Sequence, residues 1–331
     1  LTQANKKYEN LAYSDALKMY SDIANRGFLD AELLKHLGNS LYFNGDYVFA
    51  NKWYSELHNK FEDEFIEPEY DYRYAETLLS VNDEYLAEIY FKKYAKRSIN
   101  SPRAKLISSS ESNKKSLITN SGRYRIEDSK INSIYSDYVG SYHNNQILFT
   151  TARDTGSFVK REFTWTGESF SNIYIADIDK DGSLTNPRLF SKEISSKLNE
   201  SSPIITKDGK TMYFTRNNYL GKRGYNSEFV TLLKIYRAEL VDDKWTNITE
   251  LPFNSDQFST AHPALNSKGD MLYFVSDRPG GYGKSDIDFF EKYMKLSQYG
   301  YEFTQDMIAK YPTPNRDDAR LMVLHRSTGE I

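Results

Sequence analysis

The chain has no cysteine among its 331 residues. That excludes disulfides, thiolate metal sites and cysteine nucleophiles, and it fits an oxidising compartment. It also lacks an excess of either charge: 43 Lys and Arg stand against 46 Asp and Glu, for a net charge of −3. No Lys/Arg run supplies the electropositive stripe that nucleic acid requires. No apolar run approaches the roughly 20 residues of a membrane-spanning helix. There is no Gly-x-Ser-x-Gly nucleophile elbow and no nucleotide-binding motif. The five histidines, His36, His58, His143, His262 and His325, do not sit in a hydrolase pattern. No catalytic residue, organic cofactor or small-molecule substrate is therefore expected. The chain opens on Leu1, which suggests a removed leader.

Repeats are what the sequence does contain. Residues 201–214 read Ser-Ser-Pro-Ile-Ile-Thr-Lys-Asp-Gly-Lys-Thr-Met-Tyr-Phe, and residues 261–274 read Ala-His-Pro-Ala-Leu-Asn-Ser-Lys-Gly-Asp-Met-Leu-Tyr-Phe. Each predicts a Pro-led strand, a turn at Asp208-Gly209 or Lys268-Gly269, and a second strand. A fainter copy runs from Val139 through a turn at Asn144-Asn145 to Phe149. One hairpin cannot bury its apolar face alone, so a repeated hairpin predicts β-propeller blades. Further strands, 172–177 and 235–240, are each followed by an Asp-rich turn. They complete four-stranded blades over residues 123–288, two and a half of them.

The first 100 residues show a different period. Ala16 and Ala50, and likewise Tyr20 and Tyr54, are 34 residues apart, the period of the tetratricopeptide repeat. A third unit follows at an offset of 37, with Ala75, Leu78-Leu79, Asn82-Asp83, Ala87 and Phe91. Gly38 and Ala50 allow close helix approach, and Asn44-Gly45-Asp46 ends one helix and caps the next. Residues 101–122 are Ser-, Asn- and Lys-rich and read as a linker. The expected fold class is thus α+β multidomain: TPR-like helical repeats, then incomplete WD40/TolB-like propeller blades. Residues 289–331 stay unassigned. Phe289–Leu296 and Phe303–Tyr311 read as helical, after a break that suggests a truncated chain or a numbering gap.

The segments Glu200–Asn218, Ala261–Leu265 and Ser276-Asp277-Arg278-Pro279-Gly280-Gly281-Tyr282-Gly283-Lys284-Ser285-Asp286-Ile287 resemble blades of Bacteroidota outer-membrane proteins of the OmpA family. The order of helical repeats before a PD40 (WD40-like) propeller resembles that family over residues 5–288. The resemblance implies a signal peptide already removed and a periplasmic location against the outer membrane of a Gram-negative cell. It implies a non-enzymatic scaffold of type 9 secretion or gliding motility. Its partners would be PorP/SprF-like β-barrels or a lipoprotein, with peptidoglycan held by a C-terminal domain not visible here. Two alternatives stand beside it: a propeller that binds glycan or peptidoglycan fragments, and a propeller associated with a peptidase.

Candidate sites are few. Asp177, Asp179 and Asp181, before Gly182, resemble the first half of a Ca²⁺ loop. Position 12 is Arg188, however, and Asp-Gly between strands is the ordinary hairpin signal. The metal expectation is therefore none, with Ca²⁺ as the weak candidate. Loops 154–170, 217–230 and 278–285 are placed as contact loops. Tyr219, Arg223, Tyr225, Arg278 and Tyr282 are the partner-binding candidates. Arg153, Arg216 and Arg278 each follow a strand-ending Phe, which suggests a repeated structural role.

Overall fold

The computed structural model describes residues 1–108, 128–153, 161–281 and 285–291. It is an α+β architecture in two compact units. The first unit holds seven helices: α1 Thr2–Glu9, α2 Tyr13–Asn25, α3 Ala31–Tyr42, α4 Tyr47–Lys60, α5 Pro68–Ser80, α6 Glu84–Arg97 and α7 Pro102–Ser108. Each packs on the next in chain order. Three of them start at an aspartate whose carboxylate accepts a backbone N–H of the first turn: Asp30 from Leu33, Asp46 from Phe49 and Asp83 from Leu86. Such caps satisfy donors that a helix cannot satisfy itself.

The 34-residue pattern is a burial pattern. Ala16, Tyr20, Ala50 and Tyr54 are wholly inaccessible to solvent. Each such tyrosine contributes roughly 1.5–3 kcal/mol of apolar burial. Gly38 faces Tyr54, and any Cβ there would collide with the edge of its ring. The small residue is what lets α3 and α4 touch. The helical region runs further than the composition suggests. Residues 102–108, read as linker, form α7. Pro102 opens it, Ala104 is buried, and the Arg103 guanidinium lies 4.7 Å from the centre of the Tyr72 ring. Local packing overrides a polar composition here.

The second unit contains antiparallel sheets. Strands β1 Asp137–His143, β2 Gln146–Thr151, β3 Asn172–Ile178 and β4 Leu184–Leu189 pair in the order β1-β2-β3-β4. Strands β5 Glu200–Ile205 and β6 Thr211–Asn217 come next. The small pair β7 Tyr219–Leu220 and β8 Lys222–Arg223 follows, then β9 Leu233–Val241 and β10 Lys244–Glu250. The second sheet has the order β10-β9-β6-β5, with β7-β8 separate from it. A third sheet pairs β11 Thr260–Leu265, β12 Met271–Ser276 and β13 Asp286–Glu291. Among the described residues these sheets do not close into a ring. Strand β13 pairs with β12 out to Glu291. Residues 289–291 therefore extend a ladder, where helix was expected; the remainder of 289–331 lies outside the described residues.

Both repeated hairpins form, and so does the faint copy. Asn144 and Asn145 both adopt positive φ, 47° and 60°, the conformation that a two-residue hairpin turn demands. The first strand of each sheet is bulged, at Gly140, at Ser202-Pro203 and at His262-Pro263. The bulges tie neighbouring sheets together. The Ser202 N–H donates to Thr150 Oγ1 at 3.3 Å, and the His262 N–H to Thr215 Oγ1 at 2.9 Å. Pro203 lies against Gly140, where a Cβ would come within 2.6 Å of Pro203 Cδ. The shared Pro of the two repeats thus follows the bulge residue of the inner strand. The main core of this unit joins Leu148 and Ile173 to Met212, Phe214, Tyr236 and Trp245.

Candidate interaction surfaces

In the helical unit a polar network centres on Asn39 of α3. Its amide donates to Tyr8 Oη of α1 at 2.8 Å and to Tyr70 Oη of α5 at 3.1 Å. Its carbonyl oxygen accepts from Tyr54 Oη at 2.8 Å and from Arg73 Nη1 at 2.6 Å. Tyr8, Asn39 and Arg73 belong to the first helix of successive pairs. They make one row across the repeats, with different chemistry at each step. The Arg73 guanidinium lies 5.0–5.5 Å from the ring centres of Phe43, Tyr42 and Tyr70, a cation–π cage. Burial raises the Tyr8 hydroxyl to about 12 against the lowering effect of its bond to Asn39, so it remains a neutral acceptor at physiological pH. Sequence reading found the helices but not this row. Its only signal was the combination of Asn and Arg on faces otherwise lined by tyrosine.

Behind it lies a second buried cluster. Asp71 is fully buried and meets Arg97 at 2.6 Å and Lys93 at 3.3 Å. His58 stacks on Tyr74, 5.0 Å between ring centres, with Nδ1 3.8 Å from the Asp71 carboxylate. Burial, helped by Lys93, pushes the His58 imidazole down to about 4. The neutral ring is the resident form.

The expected contact loop 154–170 divides. Residues 161–169 belong to the helical unit. There they form a small hairpin with a Glu162–Ser169 bridge. Trp165 packs edge-on against Tyr13 at 5.0 Å, and the Ser14 N–H donates to Thr164 O at 3.2 Å. This part of the loop is engaged with its own chain. Residues 154–160 lie outside the described residues.

In the sheet unit an arginine near the end of the second strand lies over two aromatic rings in each of the three larger sheets: Arg216 within β6, Arg153 and Arg278 just past β2 and β12. Arg153 covers Phe149 and Tyr174, Arg216 covers Phe214 and Tyr236, and Arg278 covers Phe274 and Phe258. Arg153 pairs with Asp137 at 3.1 Å, and Arg216 with Glu200 at 2.9 Å. Burial lifts the Glu200 carboxyl to about 7, although Arg216 opposes it. Arg278, a partner-binding candidate from sequence, thus lies over rings of its own sheet region, Phe274 of β12 and Phe258 ahead of β11. Tyr282, the other candidate nearby, lies outside the described residues.

The loop 217–230 carries the remaining candidates, and it is built from hydrogen bonds. Asn218 donates from its backbone to Leu232 O and from its side chain to Asp256. The Tyr219 N–H reaches Tyr236 Oη. Arg223 donates to Thr231 Oγ1 at 2.7 Å, and its guanidinium lies 5.5 Å from the Tyr225 ring centre. Tyr219, Arg223 and Tyr225 therefore fall in one structured loop. Sequence reading missed Phe229, which is 84% exposed at a φ of 61°. Its Asn226-x-x-Phe229 turn was the signal available.

The three aspartates of the Ca²⁺ candidate do not converge. Asp177 is held by Arg188 at 3.0 Å and by Gln146, which keep its carboxyl near 2. Asp179 accepts from Thr185 Oγ1, and Asp181 caps the Ser183 N–H. Each carboxylate serves the β3–β4 turn. Among the described residues no group of three or more His, Asp or Glu side chains is placed to hold a metal ion.

One further pair was not anticipated. Ser202 Oγ lies 2.8 Å from His262 Nδ1. These are the bulge residues of two adjacent sheets, both at positive φ, 48° and 55°. The 60-residue repeat brings a hydroxyl and an imidazole together.

No family model matches the chain. Two curated relatives match over 38 residues. The S-adenosylmethionine:tRNA ribosyltransferase-isomerase of Halothermothrix orenii is 60% identical there, and that of Parabacteroides distasonis 53%. Each match covers 12% of this chain and spans 11% of the relative's length. Among solved structures, PcrH in complex with the chaperone-binding region of PopB aligns at 21% identity with a TM-score of 0.26. It covers 33% of this chain and 85% of that one. A BT0996 RGII complex aligns at 13% identity with a TM-score of 0.30, over 50% of this protein and 55% of that one. Superpositions at this level carry no argument about function. Among the described residues no helix is long and apolar enough to cross a membrane.

Proposed function

We propose that this protein is a non-enzymatic scaffold. In this reading the helix pairs are tetratricopeptide-type repeats and the sheets are blades of a WD40-like propeller. It acts in the periplasm at the outer membrane. There it couples a PorP/SprF-like barrel or a lipoprotein of a type 9 secretion or gliding machine to the cell wall. Peptidoglycan is gripped by the family's wall-binding domain. The observation that carries the reading is the Tyr8–Asn39–Arg73 row with its aromatic cage. Asn39 is buried with its bonds spent and holds the row in place, while the partly exposed Arg73 and the exposed Phe43 ring are the groups a partner peptide meets. Binding at a second surface on the same chain raises the effective concentration of each partner without new contacts.

The test is purification of the tagged chain from cell envelopes in mild detergent. A stoichiometric outer-membrane barrel or lipoprotein is expected with the wild type. It is expected to be lost with Arg73→Gln and weakened with Arg103→Glu, at a residue that shares the Glu69 carboxylate with Arg73. Equal recovery from all three proteins sinks the reading.

The pairing of Ser202 with His262 favours a second reading, acyl-transfer chemistry at the inner strands. Labelling by a fluorophosphonate probe that disappears in Ser202→Ala would establish it. Absence of labelling removes it.

A further inference from the structure

The loop 217–230 displays four large apolar side chains: Leu220, Tyr225, Phe229 and Val230 are 51, 47, 84 and 41% exposed. A soluble surface gains nothing from a phenylalanine presented this way. Its backbone sits at a φ that an L-residue adopts at a cost of roughly 1–3 kcal/mol. The turn that imposes this φ is clamped by Asn226. Its side-chain oxygen accepts the N–H groups of Glu228 and Val230 at 2.9 and 2.8 Å, and its carbonyl accepts that of Phe229. The Asn226 N–H donates to Val230 O, and the Ser227 N–H to Gln257 Oε1. Every backbone N–H from Asn226 to Val230 is therefore satisfied within the chain. Gly224 donates to Asn218 O, and the β7–β8 pair closes the other arm.

We infer that this loop is a membrane-surface anchor that seats Phe229 in the interfacial region of an anionic lipid bilayer. Three observations support lipid as the occupant. A ring that reaches below the headgroups carries its backbone toward a medium without hydrogen-bond partners, and here every N–H from Asn226 to Val230 is already bonded within the chain. The apolar residues come from two successive turns, Leu220 from the β7–β8 turn and Phe229 and Val230 from the Asn226 turn, with Tyr225 between them. The exposed charges of the loop are Lys222, Arg223 and Glu228, so the cations outnumber the acid. Arg223 is held beside the Tyr225 ring, an amphipathic arrangement suited to headgroups. This inference stands apart from the scaffold reading, which concerns protein partners.

The experiment is co-sedimentation of the full chain with phosphatidylcholine vesicles, with and without a minor fraction of phosphatidylglycerol. Binding is expected to the mixed vesicles and to weaken as salt rises. Phe229→Ser should lower the partition coefficient about tenfold, and Lys222→Gln and Arg223→Gln about fivefold each. Phe229→Trp should preserve binding, with a blue shift of its emission on adding vesicles. The three substituted positions are exposed, and unchanged circular dichroism confirms that the variants fold. Failure of the wild type to bind either vesicle overturns the inference. So does wild-type affinity in Phe229→Ser. Loss of a stoichiometric protein partner by these variants, without any vesicle binding, would reassign the loop to protein docking and also overturn it.

Discussion

The two units bury charge in different ways, and the difference separates support from function. In the sheet unit the device recurs. Arg153, Arg216 and Arg278 each lie over a pair of aromatic rings near the end of the second strand of a sheet. In the helical unit the row Tyr8, Asn39, Arg73 occupies comparable places with three unlike side chains. A feature that every repeat needs is one that holds a repeat together. A feature that occurs once is free to be specific. By that criterion the arginine clasps are structural. The Asn39 network and the loop 217–230, with its exposed Leu220, Tyr225, Phe229 and Val230, are the places to seek binding.

The largest effect should come from breaking a clasp. Arg216 is 4% exposed and Glu200 is wholly buried. Arg216→Met removes the counter-charge of Glu200, whose carboxyl, already near 7, then takes up a proton, so the loss of the buried pair should cost about 3 kcal/mol, the low end for such a break. Arg153 and Asp137 remain 18% and 13% exposed, so water can replace the lost partner. Arg153→Met should cost less than half as much. Denaturant unfolding followed through Trp245, which lies in the sheet core, reads both. Equal costs would mean that burial does not set the strength of the clasp. In the helical unit, Gly38→Ala forces the Tyr54 ring aside and should cost about 1–3 kcal/mol. Hydrogen exchange measured by mass spectrometry should show loosening over α3 and α4 and none over the sheets.

Most of the elements were legible in the sequence because their signals are local. Ala16 and Ala50 mark helix contacts, and Asp46 and Asp83 mark caps. Asn144-Asn145 marks a turn that only a few residue types accept. The repeat of 201–214 at 261–274 gave two hairpins with the right partners. What could not be read depends on contacts distant in sequence. Trp165 is separated from Tyr13 by well over a hundred residues, and nothing near it in sequence announces a helical neighbour. Asn39 gathers Tyr8, Tyr54, Tyr70 and Arg73 from three other helices. Residues 102–108 were misread because polar composition outweighed the Pro102 start signal and the burial of Ala104. Among the sites, the arginine clasps were visible as a recurring residue. Phe229 was not, because its exposure is a property of the turn around it.

A capping prediction sharpens the comparison at smaller scale. Asp83→Ala removes the acceptor for the Leu86 N–H, 3.0 Å away, and should cost about 1 kcal/mol. Asp46→Ala breaks a longer bond of 3.4 Å and should cost less. Thermal melts of the two variants decide the order, and a larger loss for Asp46→Ala would contradict it.

The smallest effect at neutral pH is the most discriminating, because burial acts on both units with opposite sign. Glu200 titrates near 7 in the folded chain against an ordinary 4.5. The folded state then holds a proton that the unfolded state has released. That contribution to the sheet unit is complete below about 4.5 and is lost as pH rises to about 7. His58 titrates near 4 against an ordinary 6.5. Its contribution to the helical unit is complete above about 6.5 and is lost as pH falls toward 4. Acidification from about 7 to about 4.5 should therefore tighten the sheets while it loosens the helices. Asp71, raised by burial, works against the helical loss only toward the acid end. Hydrogen exchange on the intact chain reads the two units separately at each pH. Glu200→Gln should flatten the sheet trend alone, and His58→Phe the helical trend alone. If both units moved in the same direction, the buried acid and the buried base would not be the groups that set the response.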